Sequence, residues 1–180
     1  MGCDLHRYVE YKGTGDNWSS TPISGLGERD YDWFGFLCKG VRRDHDPEEY
    51  HVHEPIGFPD DAGFVSFHDF FIPENENKDK PWYGKLEQHL KRGRRYSLVT
   101  GREEDFIQHP DYYGATYIYL DEFLELLDSF KKFLRKEYSE EITAATDINN
   151  WTVRLDAIAD YMKAYEKQGF KTRIVYWFDG

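Results

Sequence analysis

Hydrophobic and polar residues alternate at the start of the chain, and this pattern predicts a β-strand over residues 3–11. One face of that strand carries Cys3, Leu5, Arg7, Val9 and Tyr11, and the other carries Asp4, His6, Tyr8 and Glu10. A turn over residues 13–17 then leads to a second short strand near Trp18. The last segment, residues 171–178, is rich in β-branched and aromatic residues and predicts a closing strand.

Helical spacing dominates the second half of the chain. One amphipathic stripe consists of Leu120, Phe123, Leu124, Leu127, Phe130 and Leu134. A second long helix is predicted over residues 149–167, with Gly169 ending it. Shorter helices are predicted over residues 30–39 and 82–90, and a short strand over residues 117–120.

Prolines and glycines interrupt the pattern between residues 44 and 80, which predicts a long irregular segment crossed by a strand at residues 64–71. Long segments of this kind inside a domain are usually functional or disordered, and the many phenylalanines argue against disorder. The whole pattern indicates one α+β domain over residues 1–180. We expect a small twisted mixed or antiparallel β-sheet with two long amphipathic helices packed largely on one face.

Composition narrows the classes of partner. The chain has 180 residues, with 23 basic and 34 acidic side chains and a net charge of −11. Such a surface disfavours bulk binding to duplex nucleic acid, and no apolar run is long enough to cross a membrane. No signal peptide is recognisable at the start, so we expect a soluble protein of the cytoplasm.

One basic cluster stands out against this acidic background: Lys91, Arg92, Arg94 and Arg95. The cluster is able to hold an anion, but basic residues of this kind also occur at a helix C-terminus followed by a solvated turn.

The first candidate site is the pair Asp4 and His6, which share a face because they are two residues apart on a strand. A carboxylate and an imidazole on one side of a sheet can ligate a divalent metal, or act as a catalytic base and its orienting group. The alternative is a solvated polar face with no chemical role.

A second candidate lies in the irregular segment, where His51 and His53 would share a face in extended chain and follow Asp44, His45 and Asp46. This composition is typical of metal sites, although the spacing matches no standard zinc motif, and an exposed polar loop is the alternative. Further polar groups follow in Asp60-Asp61 and Phe67-His68-Asp69.

We expect these groups to converge if the first and last strands are neighbours, because the termini of domains often lie close together. Asp179 would then join Asp4 and His6, and the irregular segment would bring His51, His53 and Asp61 to the same cleft. The chain contains no P-loop, no Rossmann glycine fingerprint and no Gly-x-Ser-x-Gly turn, so kinases, dehydrogenases and serine hydrolases are excluded. The two cysteines, Cys3 and Cys38, do not form a CxxC pair.

The opening Met-Gly-Cys-Asp-Leu-His resembles a group of uncharacterised phage and bacterial proteins whose members commonly begin Met-Gly-Cys-Asp-Ile-His. The resemblance continues at residues 29–34, 40–42, 57–61, 120–123 and 173–179. Relatives often carry a His-Ser-x-Ser-aromatic block before the Leu-Asp-Glu segment, whereas residues 113–117 here read Tyr-Gly-Ala-Thr-Tyr. The resemblance implies an accessory protein of phage type in the cytoplasm of a bacterial host.

Two function hypotheses follow. The first is a small metal-dependent hydrolase of phosphoesters or nucleotides, with Asp4 and His6 as catalytic residues and Asp4, His6, His51, His53 and Asp61 as ligands of a divalent metal. The second is a non-catalytic binding protein that sequesters a host signal nucleotide or blocks a host defence protein. The many aromatic residues suit the second, because they stack on bases and anchor interfaces.

Overall fold

The computed structural model describes residues 3–23, 30–41, 48–139 and 148–180. In chain order the elements of these residues are β1 (Asp4–Lys12), β2 (Ser19–Pro22), α1 (Tyr31–Leu37), α2 (Phe64–Phe70), β3 (Phe71–Pro73), α3 (Tyr83–Leu86), β4 (Arg92–Ser97), β5 (Arg102–Gln108), β6 (Tyr112–Tyr119), α4 (Leu120–Glu137), α5 (Ile148–Glu166) and β7 (Lys171–Asp179). The fold is α+β.

The strands form two antiparallel sheets. The larger sheet has the order β2-β1-β7-β6, and the smaller one has the order β3-β5-β4. The first and last strands are neighbours along their whole length, from Asp4 opposite Asp179 to Lys12 opposite Lys171. This pairing fulfils the condition under which the polar groups of the two terminal strands are expected to converge.

One face of the larger sheet is covered by α1, α4 and α5. Side chains of alternate residues on β7, namely Ile174, Tyr176 and Phe178, pack there in a core cluster with apolar residues of all three helices. The two long helices were predicted from their stripes, and α4 places Phe123, Leu127 and Phe130 in this core. The acidic first turn and basic last turn of α4 suit its helix dipole.

The opposite face of the larger sheet is covered by α2, the chain before it and the smaller sheet. Val175 and Trp177 of β7 pack there with Tyr8 in a second cluster, whose other members include Phe58, Phe67, Phe70 and Phe106. Both faces of β7 are therefore buried, and so is every residue of this strand from 172 to 178.

Three predictions of local structure are wrong. The strand predicted at residues 64–71 is the helix α2 followed by the short strand β3. Its aromatic residues are spaced three apart, so Phe67 and Phe70 both reach the core from one side of a helix. The helix predicted over residues 82–90 is limited to the single turn α3.

The third wrong prediction concerns the basic cluster at residues 91–95, which lies mainly on the strand β4 and not at a helix C-terminus. Arg94 pairs across the β4–β5 hairpin with Glu103 and Asp105. Because the charged residues of this hairpin occupy both faces, no alternation of apolar and polar residues marks it. No helix of the described residues is long and apolar enough to cross a membrane.

Phe123→Ala tests whether the α4 stripe is core. Phe123 is buried and contacts the Trp33 ring edge-on at 6.0 Å between centroids, so truncation should lower the free energy of unfolding by about 3–5 kcal/mol. Urea denaturation followed by circular dichroism measures this change. Val153→Ala, at an exposed position of α5, is the control and should stay within about 0.5 kcal/mol. Similar losses in the two variants would contradict the assignment.

Candidate functional site

The polar face of β1 meets one face of β7 in the larger sheet. The register places Asp4, His6, Tyr8 and Glu10 opposite Asp179, Trp177, Val175 and Arg173. Polar groups from β1, β7 and the segment that ends in α2 thus meet on one side of the sheet. They form two clusters, one at each end of α2.

The histidine cluster is centred on His6 and includes Asp69, Asp179, Tyr8 and Tyr112. The Nε2 atom of His6 lies 3.0 Å from Asp179 Oδ2, and its Nδ1 atom lies 3.8 Å from Asp69 Oδ2. The Tyr8 hydroxyl donates to the same Asp69 oxygen at 2.7 Å. Each imidazole nitrogen therefore faces a different carboxylate, an arrangement that suits a protonated imidazole with two N–H donors.

The charges of this cluster act on one another. The Asp69 carboxylate is the largest cause that raises the pKa of His6 above its usual value; burial opposes the shift, and Asp179 adds to it. In turn, His6 lowers the pKa of Asp69. Burial, with Asp69 in support, raises the pKa of the Tyr8 phenol. The imidazolium form of His6 and the carboxylate form of Asp69 thus stabilise each other.

Aromatic rings form the walls around His6. The Trp177 ring is parallel to the imidazole, with a centroid distance of 5.5 Å, and the Tyr112 ring lies at 5.0 Å. Tyr112 also contacts His109, at 4.6 Å. Asp4 joins the cluster through its backbone N–H, which donates to Asp179 Oδ1 at 3.0 Å. Asp179 thus lies beside His6, whereas Asp4 is connected to the cluster through its backbone and not through its carboxylate.

His51 and His53 do not lie on this face. His53 packs beside Tyr176, which belongs to the opposite core, and His51 faces Glu125 of α4 at 3.7 Å. Asp61 lies on the same side as His6 but pairs with Arg173.

The five residues predicted as metal ligands thus lie in three separate parts of the structure. Asp4 and His6 belong to the histidine cluster, His51 and His53 lie near α4, and Asp61 lies beside Arg173. Within residues 3–23, 30–41, 48–139 and 148–180, no group of three His, Cys, Asp or Glu side chains could hold a metal ion. Asp44, His45 and Asp46 lie outside the described residues.

His53 takes part in a carboxylate–imidazole–hydroxyl chain that the sequence does not reveal. Its Nδ1 atom lies 2.5 Å from Glu122 Oε1, and its Nε2 atom lies 2.7 Å from Thr116 Oγ1. Hydrolases use the same order of groups to activate a hydroxyl nucleophile. Here Thr116 has no exposed surface and its oxygen also accepts the Ile56 N–H at 3.1 Å. We therefore assign this chain of hydrogen bonds to the packing of residues 51–56 against β6 and α4.

His53→Ala tests this structural assignment. The substitution removes a partner of the buried Thr116 hydroxyl and of the partly exposed Glu122 carboxylate, so the free energy of unfolding should fall by about 1–3 kcal/mol. His51→Ala, at a half-exposed position, is the matched control and should change stability by less than about 0.5 kcal/mol. Equal stability of the two variants, measured by urea denaturation, would show that the buried chain has no structural role.

The second cluster is built on a buried ion pair between Arg173 and Glu10, whose side chains are almost completely buried. The Nε atom of Arg173 donates to Glu10 Oε2 at 2.8 Å, and its Nη2 atom lies 2.7 Å from the same oxygen. The other Glu10 oxygen accepts from the Gly63 N–H at 2.6 Å and from the Ser66 hydroxyl. Every polar group of this pair therefore has partners, as burial of two charges requires.

Arg173 also connects this pair to the surface. Its Nη1 atom donates to Asp61 Oδ1 at 2.8 Å, and its guanidinium lies between the rings of Trp18 at 4.0 Å and Tyr117 at 5.1 Å. The Trp18 indole N–H donates to the second Asp61 oxygen at 2.9 Å. Burial opposes ionisation of Asp61, but the hydrogen bonds from Arg173 and Trp18 outweigh it and lower the Asp61 pKa.

A cleft opens beside this network, with a volume of about 480 Å³. The cleft, called the Arg95 cleft below, is lined by Asp16, Asn17, Trp18, Asp61, Ala62, Phe64 and Arg95. Three distant pieces of chain form it: the turn between β1 and β2, the start of α2 and the middle of β4. Of the five residues predicted for a metal site, only Asp61 lines this cleft.

Arg95 supplies the cation of the cleft. Its guanidinium stacks on the Phe67 ring at 4.4 Å, and one nitrogen donates to the Asp60 carbonyl at 3.4 Å. In the part of the chain that the structure describes, Arg95 makes no ion pair. Burial lowers the pKa of Arg95, because desolvation penalises its charge, although an arginine stays protonated in proteins.

Gly63, which precedes α2, allows the helix to begin in close contact with the chain at Trp18 and Ser20. A Cβ atom at this position would lie 1.9 Å from Ser20 Oγ and 3.0 Å from the Trp18 carbonyl oxygen. The backbone there adopts an ordinary extended conformation, so the restriction on residue type is one of space and not of φ.

Gly63→Ala should separate α2 from the sheet and lower the free energy of unfolding by about 1–3 kcal/mol or more, because the added methyl group overpacks a closed site. Gly84→Ala is the matched control: a Cβ atom added there would have no neighbour within 4 Å and the residue belongs to α3, so stability should hold or rise. Thermal unfolding compares the two variants. A stable Gly63→Ala protein would mean that α2 does not depend on this contact.

Comparisons with known proteins found no relative of this chain. No family model, curated protein or solved structure matches the chain. The two clusters themselves are therefore the basis of the function proposed below.

Sequence reasoning identified some of these residues and missed others. Asp69 and Arg95 both belonged to polar groups noted in the sequence, but nothing local assigned them a partner. Trp18 and Arg173 carried no signal, because their roles depend on contacts across 43 and 163 positions of the chain.

Proposed function

We propose that the protein is a binding protein for a small nucleotide-class ligand, which occupies the Arg95 cleft. The observation that carries the proposal is Arg95 itself: a partly desolvated guanidinium that faces a cleft and has no ion-pair partner in the described residues. Charged hydrogen bonds to phosphate are strong and fit the planar donor group of arginine. A phosphate bound here would supply the partner that Arg95 lacks.

The rest of the cleft suits a nucleoside. Phe64 is 38% exposed and offers an aromatic face for a base. The Asn17 amide can donate to and accept from a base edge, and the Asp16 carboxylate can accept from its N–H groups. The volume of about 480 Å³ lies within the usual range for small-molecule sites.

The charge of the whole chain limits the ligand to a small one. A net charge of −11 repels the repeated phosphates of a duplex, while one or two phosphates need only the local field of Arg95, since Arg173 is already paired with Glu10 and Asp61. We infer that the ligand carries few phosphates.

The cellular role proposed for this binding follows the resemblance described above. A phage-type accessory protein in the cytoplasm of a bacterial host would retain a host signal nucleotide in the cleft without converting it. Stoichiometric retention of unchanged nucleotide is the signature that distinguishes this role from catalysis.

Arg95→Ala tests the proposal against Arg94→Ala, which removes the same charge from the neighbouring residue on the other face of β4. Titration calorimetry with adenosine and guanosine monophosphates and their cyclic forms should show binding to the wild type. Loss of one charged hydrogen bond predicts binding about 10- to 150-fold weaker in Arg95→Ala. Arg94→Ala should stay within about threefold, because Arg94 is exposed and its pairs are weak. Equal affinities of the two variants, or no binding of any nucleotide at about 1 mM, would reject the proposal.

A hydrolase is the second candidate, and the histidine cluster favours it. An imidazole oriented by carboxylates is the usual form of a general acid or base. Conversion of the same nucleotides by the wild type, lost in His6→Gln, would move the hydrolase ahead of the binding protein.

A further inference from the structure

The short helix α2 joins the two clusters. Phe64, its first residue, lines the Arg95 cleft, and Asp69, in its last turn, faces His6. The helix has seven residues and is about 10 Å long, short enough to act as one rigid unit. A change in its attachment at one end therefore reaches the wall of the cleft at the other.

Several titratable groups face His6 or its immediate neighbours, and each element packed there contributes. They are Asp4 and Tyr8 from β1, Asp69 from α2, Asp179 from β7, Tyr112 from β6, and His109 and Asp111 from the turn before β6. Carboxylates outnumber the basic groups in this set. Both ring nitrogens of His6 lie within 4 Å of a carboxylate, one of Asp69 on α2 and the other of Asp179 on β7.

We propose that His6 is a pH-dependent latch on α2, which holds the wall of the Arg95 cleft in its binding position while the imidazole is protonated. The latch rests on the proposed function, because it regulates the same cleft.

The physical reason is the positive charge of the imidazolium. A protonated His6 is hydrogen-bonded to Asp179 at 3.0 Å and attracts the Asp69 carboxylate at 3.8 Å, whereas a neutral one can keep the hydrogen bond to Asp179 but no longer attracts Asp69 by its charge. The two carboxylates then repel each other without an intervening positive charge. The Tyr8 hydroxyl still donates to Asp69, so α2 loosens and does not detach.

The sign of the pH dependence follows from the direction of the pKa shift. The Asp69 and Asp179 carboxylates raise the pKa of His6 above its usual value of 6.5. The latch is therefore fully closed below pH 6.5 and opens as the pH rises through the raised pKa. His68, on α2 itself, has a pKa lowered by burial, so its charge changes in a more acidic range.

The binding test uses 3′,5′-cyclic AMP as the probe, because a phosphodiester keeps one negative charge where a phosphomonoester would titrate near pH 6. Between about pH 6 and pH 8.5, the affinity of the wild type should fall about fivefold or more. His6→Gln should show no such fall. His109→Gln, which removes the other imidazole on Tyr112 but leaves the contacts of His6 with both carboxylates, should behave like the wild type.

A second measurement reports on α2 without any ligand. Amide hydrogen exchange of residues 64–70, corrected for its intrinsic pH dependence, should show less protection as the pH rises in the wild type and in His109→Gln. Asp69→Asn, which removes the carboxylate on α2, should abolish this change, while Asp179→Asn should retain part of it. Circular dichroism confirms that each variant is folded before it is compared.

The two measurements separate the two proposals. If neither cyclic AMP nor any other nucleotide of the set named above binds at any pH but the protection of α2 follows the titration of His6, the latch stands and the nucleotide cleft is rejected. If His6→Gln keeps the wild-type pH dependence of α2 protection, or if the wild type shows none, the latch is rejected whatever the cleft binds.

Discussion

The buried ion pair between Glu10 and Arg173 is the constraint on which the rest of the structure depends. Two charges in the interior are stable only when each finds partners, and removal of one partner from such a pair typically costs about 3–5 kcal/mol. Glu10 finds its partners at Gly63 and Ser66, and Arg173 finds a second carboxylate in Asp61. The need to satisfy these charges fixes the start of α2 on the sheet.

Fixing α2 in this way creates both candidate sites. The start of the helix and the preceding residues form one wall of the Arg95 cleft, and its last turn brings Asp69 to His6. The aromatic residues between the two ends, Phe67 and Phe70, fill the core beneath the helix. The helix α2 is therefore attached at two separate places. Each end takes part in a polar network, and its centre packs in the apolar core.

The elements that could be predicted from the sequence are those with a regular local period. The helix α4 has a stripe that marks its buried face, and the strand β1 has a regular alternation, although both of its faces are buried at residues 7–10. The hairpin of β4 and β5 could not be predicted in the same way, because its charges are satisfied across the strands, as between Arg94 and Glu103. Its strand structure comes from tertiary contacts and not from local pattern.

The candidate site was predictable only in part for a related reason. Strand periodicity places Asp4 and His6 on one face, and the pairing of the terminal strands adds Asp179. No local rule indicates that His53 belongs to the opposite core, because its partners come from β6 and α4. The Arg95 cleft is still harder to foresee, since it is formed by three segments that are far apart along the chain.

The central position of β7 has a consequence for how the chain folds. This strand lies between β1 and β6 and supplies side chains to both core clusters, yet it follows every other described element in the chain. Neither face of the larger sheet is complete until residues 171–179 join it, and Glu10 of β1 must wait for a partner 163 positions away. Contacts of such long range slow folding, and they leave the apolar faces of α4 and α5 without their sheet until the last step.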